Sequence, residues 1–111
     1  MTEQAKVSFD DFKKVDLRVA EILEVNEHPN ADRLYVLKIR VGDQEKQIVG
    51  GVREHYHPDA LVGRKIVVVN NLEPVTIRGE ESNGMLLAAK DGDVPVILCP
   101  ERDVPSGAAI G

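Results

Sequence analysis

Residues 34 to 41 read LYVLKIRV, and this alternation constrains the fold more than any other stretch of the chain. In extended backbone Tyr35, Leu37, Ile39 and Val41 share one side, while Leu34, Val36, Lys38 and Arg40 share the other. The first face is wholly apolar and belongs to a core; the second is half apolar and half cationic. Gly42 and Asp43 then offer a reversal into a strand that ends at Ile48 and Val49, and Gly50-Gly51 marks a bend or a close backbone approach.

The rest of the chain supplies neighbours for that strand. Ser8, followed by Asp11 and flanked by Phe9 and Phe12, reads as the cap of a short helix, with carboxylates at its positive end. From Val15 the pattern is strand-like, but Glu21 falls on the apolar side and Ile22 on the other, so a bulge is expected near Ala20 to Glu21. HPNAD, residues 28 to 32, is turn chemistry throughout. REHYHPDALVGR reads as a short helix with Pro58 in its first turn and Gly63 as its stop. KIVVVNNL and MLLAA are continuous apolar runs of the kind found in strands covered on both faces. A small barrel covers only its inside, so the outer face asks for a further cover. VPVIL places Pro95 at an edge, and RDVPSGAAIG closes the chain. Five or six short strands with one helix inserted after the third match an all-β fold with short helices, the Greek-key barrel of the OB-fold.

At 111 residues the chain fits one domain, 1–111, with a barrel core over about residues 15–90. Chains of this size often need a disulfide, a metal or a second copy. Cys99 is alone, and one cysteine with three histidines falls short of a structural zinc set, which leaves oligomerisation. No segment has the apolar length of a signal core or a membrane span, so a soluble cytoplasmic protein is expected, and the initial Met and complete tail favour a free-standing one. The net charge of −5 argues against a nucleic-acid partner when taken as one number. Its distribution differs: residues 1–27 net −3, 28–79 net +2 and 80–111 net −4.

No local motif assembles a nucleophile, base and orienting group, so no enzyme and no cofactor is expected. His55 and His57 read as surface and capping residues, without the further ligands of a metal site. Cys99 reads as an inert buried thiol in an apolar strand. The four aromatic rings are too few and too scattered to stack splayed bases. Folded RNA can instead be read through phosphates, 2′-hydroxyls and groove shape, which need cations, small polar side chains and exposed backbone N–H groups. Lys38 and Arg40 would suit a phosphate path, or simply a solvated face. Arg33 and Arg78 flank strand ends. In SNGM, Ser82 and Asn83 could donate to phosphate or ribose, Gly84 permits a special backbone shape, and Met85 could press on a base. The residues by themselves favour a turn followed by a core methionine.

The run from SFDDFKKVDLRVAEI through HPNADRLYVLKIRVG, IVGGVREHY, LVGRKIVVVNNLEP and GEESNGMLLAA resembles the tRNA-binding domain family. Its members are small free-standing tRNA-binding proteins, the ends of many methionyl-tRNA synthetases, and endothelial monocyte-activating polypeptide. The resemblance implies an OB-fold that binds the outside corner of tRNA by shape, with little preference among tRNAs. Carried over by position, the implied contacts are Ser82, Met85, Asn83 and Gly84, the basic residues Lys38, Arg40 and Arg78, and more distantly Asn30 and Arg33. It also implies a homodimer, with residues 91–111 as the dimerisation extension, and a partnership with an aminoacyl-tRNA synthetase, most plausibly the methionyl enzyme. CsaA-type export chaperones, which bind unfolded polypeptides, share the fold and the opening DDFxKxDxR pattern but lack HPNADRL and SNGM, so they stand as the alternative.

Overall fold

The computed structural model describes residues 4–111. Helix α1 (Phe9–Phe12) leads into strands β1 (Leu17–Glu27), β2 (Tyr35–Val41) and β3 (Gln44–Gly50). Helix α2 (Pro58–Leu61) precedes β4 (Lys65–Val69), β5 (Val75–Ile77), β6 (Glu80–Ser82), β7 (Met85–Leu86), β8 (Ala88–Asp91), β9 (Val94–Ile97) and β10 (Ala109–Ile110). Both helices are capped as the sequence predicts. The Ser8 hydroxyl accepts from the Asp11 amide at 3.0 Å, and the His57 ring accepts from the Asp59 amide at 3.2 Å with Pro58 behind it.

The main antiparallel sheet runs in the order β3-β2-β1-β4-β7 and curls into a half-barrel consistent with an OB-like fold. β2 keeps the face predicted for it: Tyr35, Leu37, Ile39 and Val41 all lie in the core with Ile48, Val52, Leu61, Ile66 and Val68. Tyrosine hydroxyls fasten the barrel to its surroundings. Tyr35 donates to the Tyr56 carbonyl at 2.7 Å, and the Tyr56 hydroxyl accepts from the Ile97 amide at 3.1 Å.

β1 is long because it serves two neighbours, pairing with β4 through Leu17–Glu21 and with β2 through Glu21–Glu27. The expected bulge exists, but it lies between Ile22 and Glu24 rather than near Ala20. The switch of apolar face at Val19 and Ala20 has a different cause: both sides are covered there. Ala20 and Ile22 face the core, while Val19 is buried where the chain's own tail runs alongside, its amide donating to Ala108 and its carbonyl accepting from Gly107. The tail therefore pairs with the edge of β1 opposite β4.

After the β8–β9 hairpin, in which Pro95 sits on a strand with a free edge, the chain turns back across the barrel. Lys65 holds Asp103 and the Val104 carbonyl, Ser106 bridges the Arg40 carbonyl and the Gly42 amide, and β10 pairs with the start of β1. Gly107 is needed at this crossing. Its φ is +91°, and a Cβ there would lie 2.7 Å from the Cα of Gly42. Cys99 corrects its expectation, being exposed just beyond β9, since the strand ends at Ile97 before Pro100.

The start of β1 is tied to the end of β4 by polar side chains. Asp16 accepts from Arg18 at 2.8 Å and from Asn70 at 3.2 Å, while Asn71 accepts from the Asp16 amide and donates to the Lys14 carbonyl. The hydrogen bond from Arg18, followed by that from Asn70, holds the Asp16 carboxyl below its ordinary value of 3.8. A depressed carboxylate contributes stability that is fully present above its unfolded value and is lost as pH falls through the folded one. Asp16→Asn should thus flatten the acid limb of a urea-midpoint curve below about pH 4 and leave its neutral shape unchanged.

Candidate nucleic-acid interface

The β5–β6 hairpin carries a candidate site at each end. Its tip is Arg78-Gly79, with φ of 48° and 91°. Positive φ at both central residues is the pattern of a type I′ turn, which favours Asn-Gly or Gly-Gly; arginine is a costly occupant. The HPNAD turn compensates. Asn30 donates from Nδ2 to the Arg78 carbonyl at 3.1 Å, and Arg78 Nη1 donates back to the Asn30 carbonyl at 3.1 Å. Beneath them His28 is 3% exposed; its Nδ1 accepts from the Asn30 amide at 3.0 Å and its Nε2 meets the Ile77 carbonyl at 2.9 Å. Only a neutral ring with its proton on Nε2 satisfies both contacts.

This clasp brings Arg78 beside Asn30 and Arg33, which lie far away in sequence. Ala31, Asp32, Arg33, Leu34 and Arg78 line one open notch. Arg33 is 82% exposed along its side chain, with Glu54 at 3.3 Å, and Arg78 is exposed in the same lining, which also holds Asp32. Sequence reasoning missed Arg53. It donates to the Ala31 carbonyl at 3.2 Å and pairs with Glu27 at 2.9 Å, bracing the notch from below. Nothing in its local sequence separates it from an ordinary surface arginine.

At the other end of the hairpin, SNGM closes the half-barrel. The Ser82 hydroxyl accepts from the Val49 amide and donates to the Gly84 carbonyl, both at 2.9 Å. The Asn83 amide donates to the Gln47 carbonyl at 2.8 Å, and the Gln47 side chain donates to Glu81 at 2.9 Å. Ser82 is 3% exposed, and its hydroxyl is engaged inside the protein, where it shapes the segment. Gly84 is buried with φ of 122°, and a Cβ on it would stand 3.0 Å from the Val69 carbonyl. Met85 overturns the core reading, since it is 46% exposed although it pairs with Val69. Its strand is the last in the curled sheet, and the β8–β9 hairpin that follows leaves its outer side open.

Lys46, also missed, stands beside Gly84 and donates from Nζ to the Asn70 carbonyl at 2.9 Å. Burial lowers its pKa, with Asp16 acting in the opposite direction. Lys38 is exposed on the outer face of β2, opposite Glu24 and Gln47, and Gln47 connects that face to Glu81. Arg40 is not brought to the site. It ion-pairs with Glu21, lies opposite Glu45, and belongs to the region crossed by the tail. The predicted Lys38–Arg40 pair is thus split between one exposed cation and one that is committed within the chain.

A small OB-like half-barrel, closed by a serine and flanked by an arginine-lined notch, is the architecture of a binding module. The model of the putative tRNA-binding domain family matches residues 17–109, and the chain belongs to that family. It is 54% identical over 104 residues to a methionine–tRNA ligase of Thermococcus kodakarensis, covering 94% of this chain and 14% of the ligase. A methionyl-tRNA synthetase-related protein of Pyrococcus horikoshii superimposes with a TM-score of 0.90 at 28% identity, over 97% of this chain and all of that one. The CsaA chaperone of Picrophilus torridus superimposes with a TM-score of 0.89 at 32% identity, over 96% of this chain and all of that one.

Ser82→Ala would leave the buried Val49 amide without its partner, and should cost about 1–3 kcal/mol of stability. Urea denaturation checks this. Met85→Ala, at a half-exposed position, should leave the denaturation midpoint nearly unchanged.

Proposed function

We propose that this chain is a non-catalytic, cytoplasmic protein that binds the outside corner of folded tRNA by shape and presents it in trans to an aminoacyl-tRNA synthetase, most plausibly the methionyl enzyme. The β5–β6 hairpin carries this reading. It presents the Arg33–Arg78 notch at its tip and the Asn83–Met85 surface at its base, roughly 13 Å apart along four residues of strand. Arginines that can engage phosphates, an adaptable methionine and fixed backbone suit a ligand recognised by shape. The rings do not supply a stacking surface beside it: Tyr35 is buried, the Tyr56 hydroxyl is engaged with β9, and Phe9 and Phe12 lie on α1. Lys38 adds charge at the border. Ser82, Gly84 and Asn30 act by holding shape, and Arg40 stays paired with Glu21.

The active form is a homodimer in this proposal, and the β8–β9 hairpin supports it. Val94, Val96 and Leu98 are exposed at 42%, 44% and 41%, a run of apolar side chains on the outer side of the hairpin. A second copy would cover them and double the number of modest phosphate contacts on one ligand. The same apolar run favours the other reading, a chaperone for unfolded polypeptide, as does the likeness to a CsaA chaperone.

Binding to labelled tRNA, followed across several salt concentrations and challenged with single-stranded RNA, duplex RNA or an unfolded polypeptide, separates the two. The expected result is tRNA binding that weakens steeply with salt and is displaced least by the polypeptide. Strong polypeptide binding without tRNA binding would establish the chaperone reading instead. Met85→Ala should weaken tRNA binding with the fold and the oligomeric state intact, as read by chromatography with light scattering.

A further inference from the structure

His28 is buried, polar and fully partnered, yet both of its partners belong to the two turns that form the notch rather than to the barrel core. Its Nδ1 fixes the Asn30 amide, and Asn30 in turn exchanges two hydrogen bonds with Arg78. Its Nε2–H reaches across to Ile77, the residue before Arg78. The imidazole thus touches the HPNAD turn and the β5 end together. It links the unfavourable φ of 48° at Arg78 to a rigid neighbour. An arginine held in the left-handed region has a cost that an ordinary hairpin turn would avoid with Asn or Gly. Such an outlier persists where the surrounding structure over-determines it, and here the surrounding contacts are those of His28 and Asn30.

We infer that His28 is a positioning residue for ligand binding: through the Ile77 carbonyl and the Asn30 amide it sets the Arg78 guanidinium against Arg33, so that the notch takes a phosphodiester of the RNA backbone. This inference rests on the tRNA-binding reading. The ligand chemistry follows from Arg33 and Arg78, two guanidiniums against the single carboxylate of Asp32 in the lining, with Glu54 beside Arg33; a guanidinium pair matches a phosphate better than any neutral group. His28 itself touches no ligand, being sealed beneath Asn30.

Two substitutions divide its contacts. Asn at position 28 can keep the acceptor for the Asn30 amide but is too short to reach Ile77, whereas Gln can reach Ile77 from the same backbone. His28→Asn should lower tRNA affinity roughly tenfold and reduce the salt slope by about one unit, the effect of one phosphate contact out of place. His28→Gln should restore most of that loss. In an Arg78→Ala background His28→Asn should cost little more, since the contact it positions is already gone. A purely structural histidine would lower the melting temperature without changing the salt slope, and its effect would add in full to that of Arg78→Ala; either result overturns the inference. Should the variants not fold, imidazole nitrogen NMR on the wild-type protein decides: a protected Nε2–H is expected, and an exchanging or Nδ1-protonated ring refutes the clasp. Wild-type protein that fails to bind tRNA at low salt removes both readings, whereas tRNA binding that depends on Arg78 but not on His28 removes this one alone.

Discussion

The hydroxyl of Ser82 lies between two backbone groups that no ladder pairs, the amide of Val49 at the end of β3 and the carbonyl of Gly84 before β7. β3 and β7 are the two ends of the curled sheet, so the opening between them has to be bridged locally. A hydroxyl can do this because it donates and accepts at once. The neighbouring bond from the Asn83 amide to Gln47 then fixes the direction of the chain, and Gly84 takes a φ that other residues resist. Met85 emerges exposed as a consequence of that closure. The same hydrogen bonds that close the barrel turn the methionine outward.

Much of this was legible in the sequence wherever periodicity or capping chemistry carries the information. The four inward residues of β2, the Ser8 and Pro58 helix starts, the Gly42-Asp43 reversal and the edge position of Pro95 all follow from local rules that the structure obeys. The failures have a common origin. The switch of face at Glu21 and Ile22 places a bulge near Ala20, but it falls between Ile22 and Glu24, and Val19 is buried beside Gly107 and Ala108, far away in sequence. Cys99 looks buried because VPVIL is apolar, yet the outer side of that hairpin is uncovered. Nothing in SNGM itself tells that the Ser82 hydroxyl is engaged, and only its partner at Val49, distant in sequence, reveals it. Each depends on which neighbours the fold supplies or withholds, and no window of sequence contains that.

The electrostatic reading sharpens in the same way. The central third of the chain is mildly basic in composition, but its cations are not equivalent once folded. Arg40 and Arg53 are committed to Glu21 and Glu27, and Lys46 donates to Asn70 from a partly buried place that lowers its pKa. Lys38, Arg33 and Arg78 remain exposed, with Glu54 as the nearby carboxylate at Arg33. A net charge of −5 is thus compatible with a local anion site, because screening at physiological salt confines the influence of the acidic ends to about 8 Å. What matters is the placement of a few exposed guanidinium groups, of which Arg33 has Glu54 and Asp32 close by.

That placement explains why the HPNAD turn and the β5–β6 hairpin belong together. A hairpin of three residues per strand, joined at its base to β3, has little rigidity of its own. An arginine on such a tip would sample many orientations, and fixing it on binding would cost entropy comparable to the energy of the phosphate interaction itself. The buried histidine and the reciprocal Asn30–Arg78 bonds impose that order before any ligand arrives. The loss of freedom is met during folding, where barrel closure at Ser82 and the packed β1–β2 pair already hold both ends of the assembly. Strain at Arg78 and burial of a polar ring, each unfavourable alone, are offset together by one set of hydrogen bonds, leaving a preorganised cationic notch at the surface.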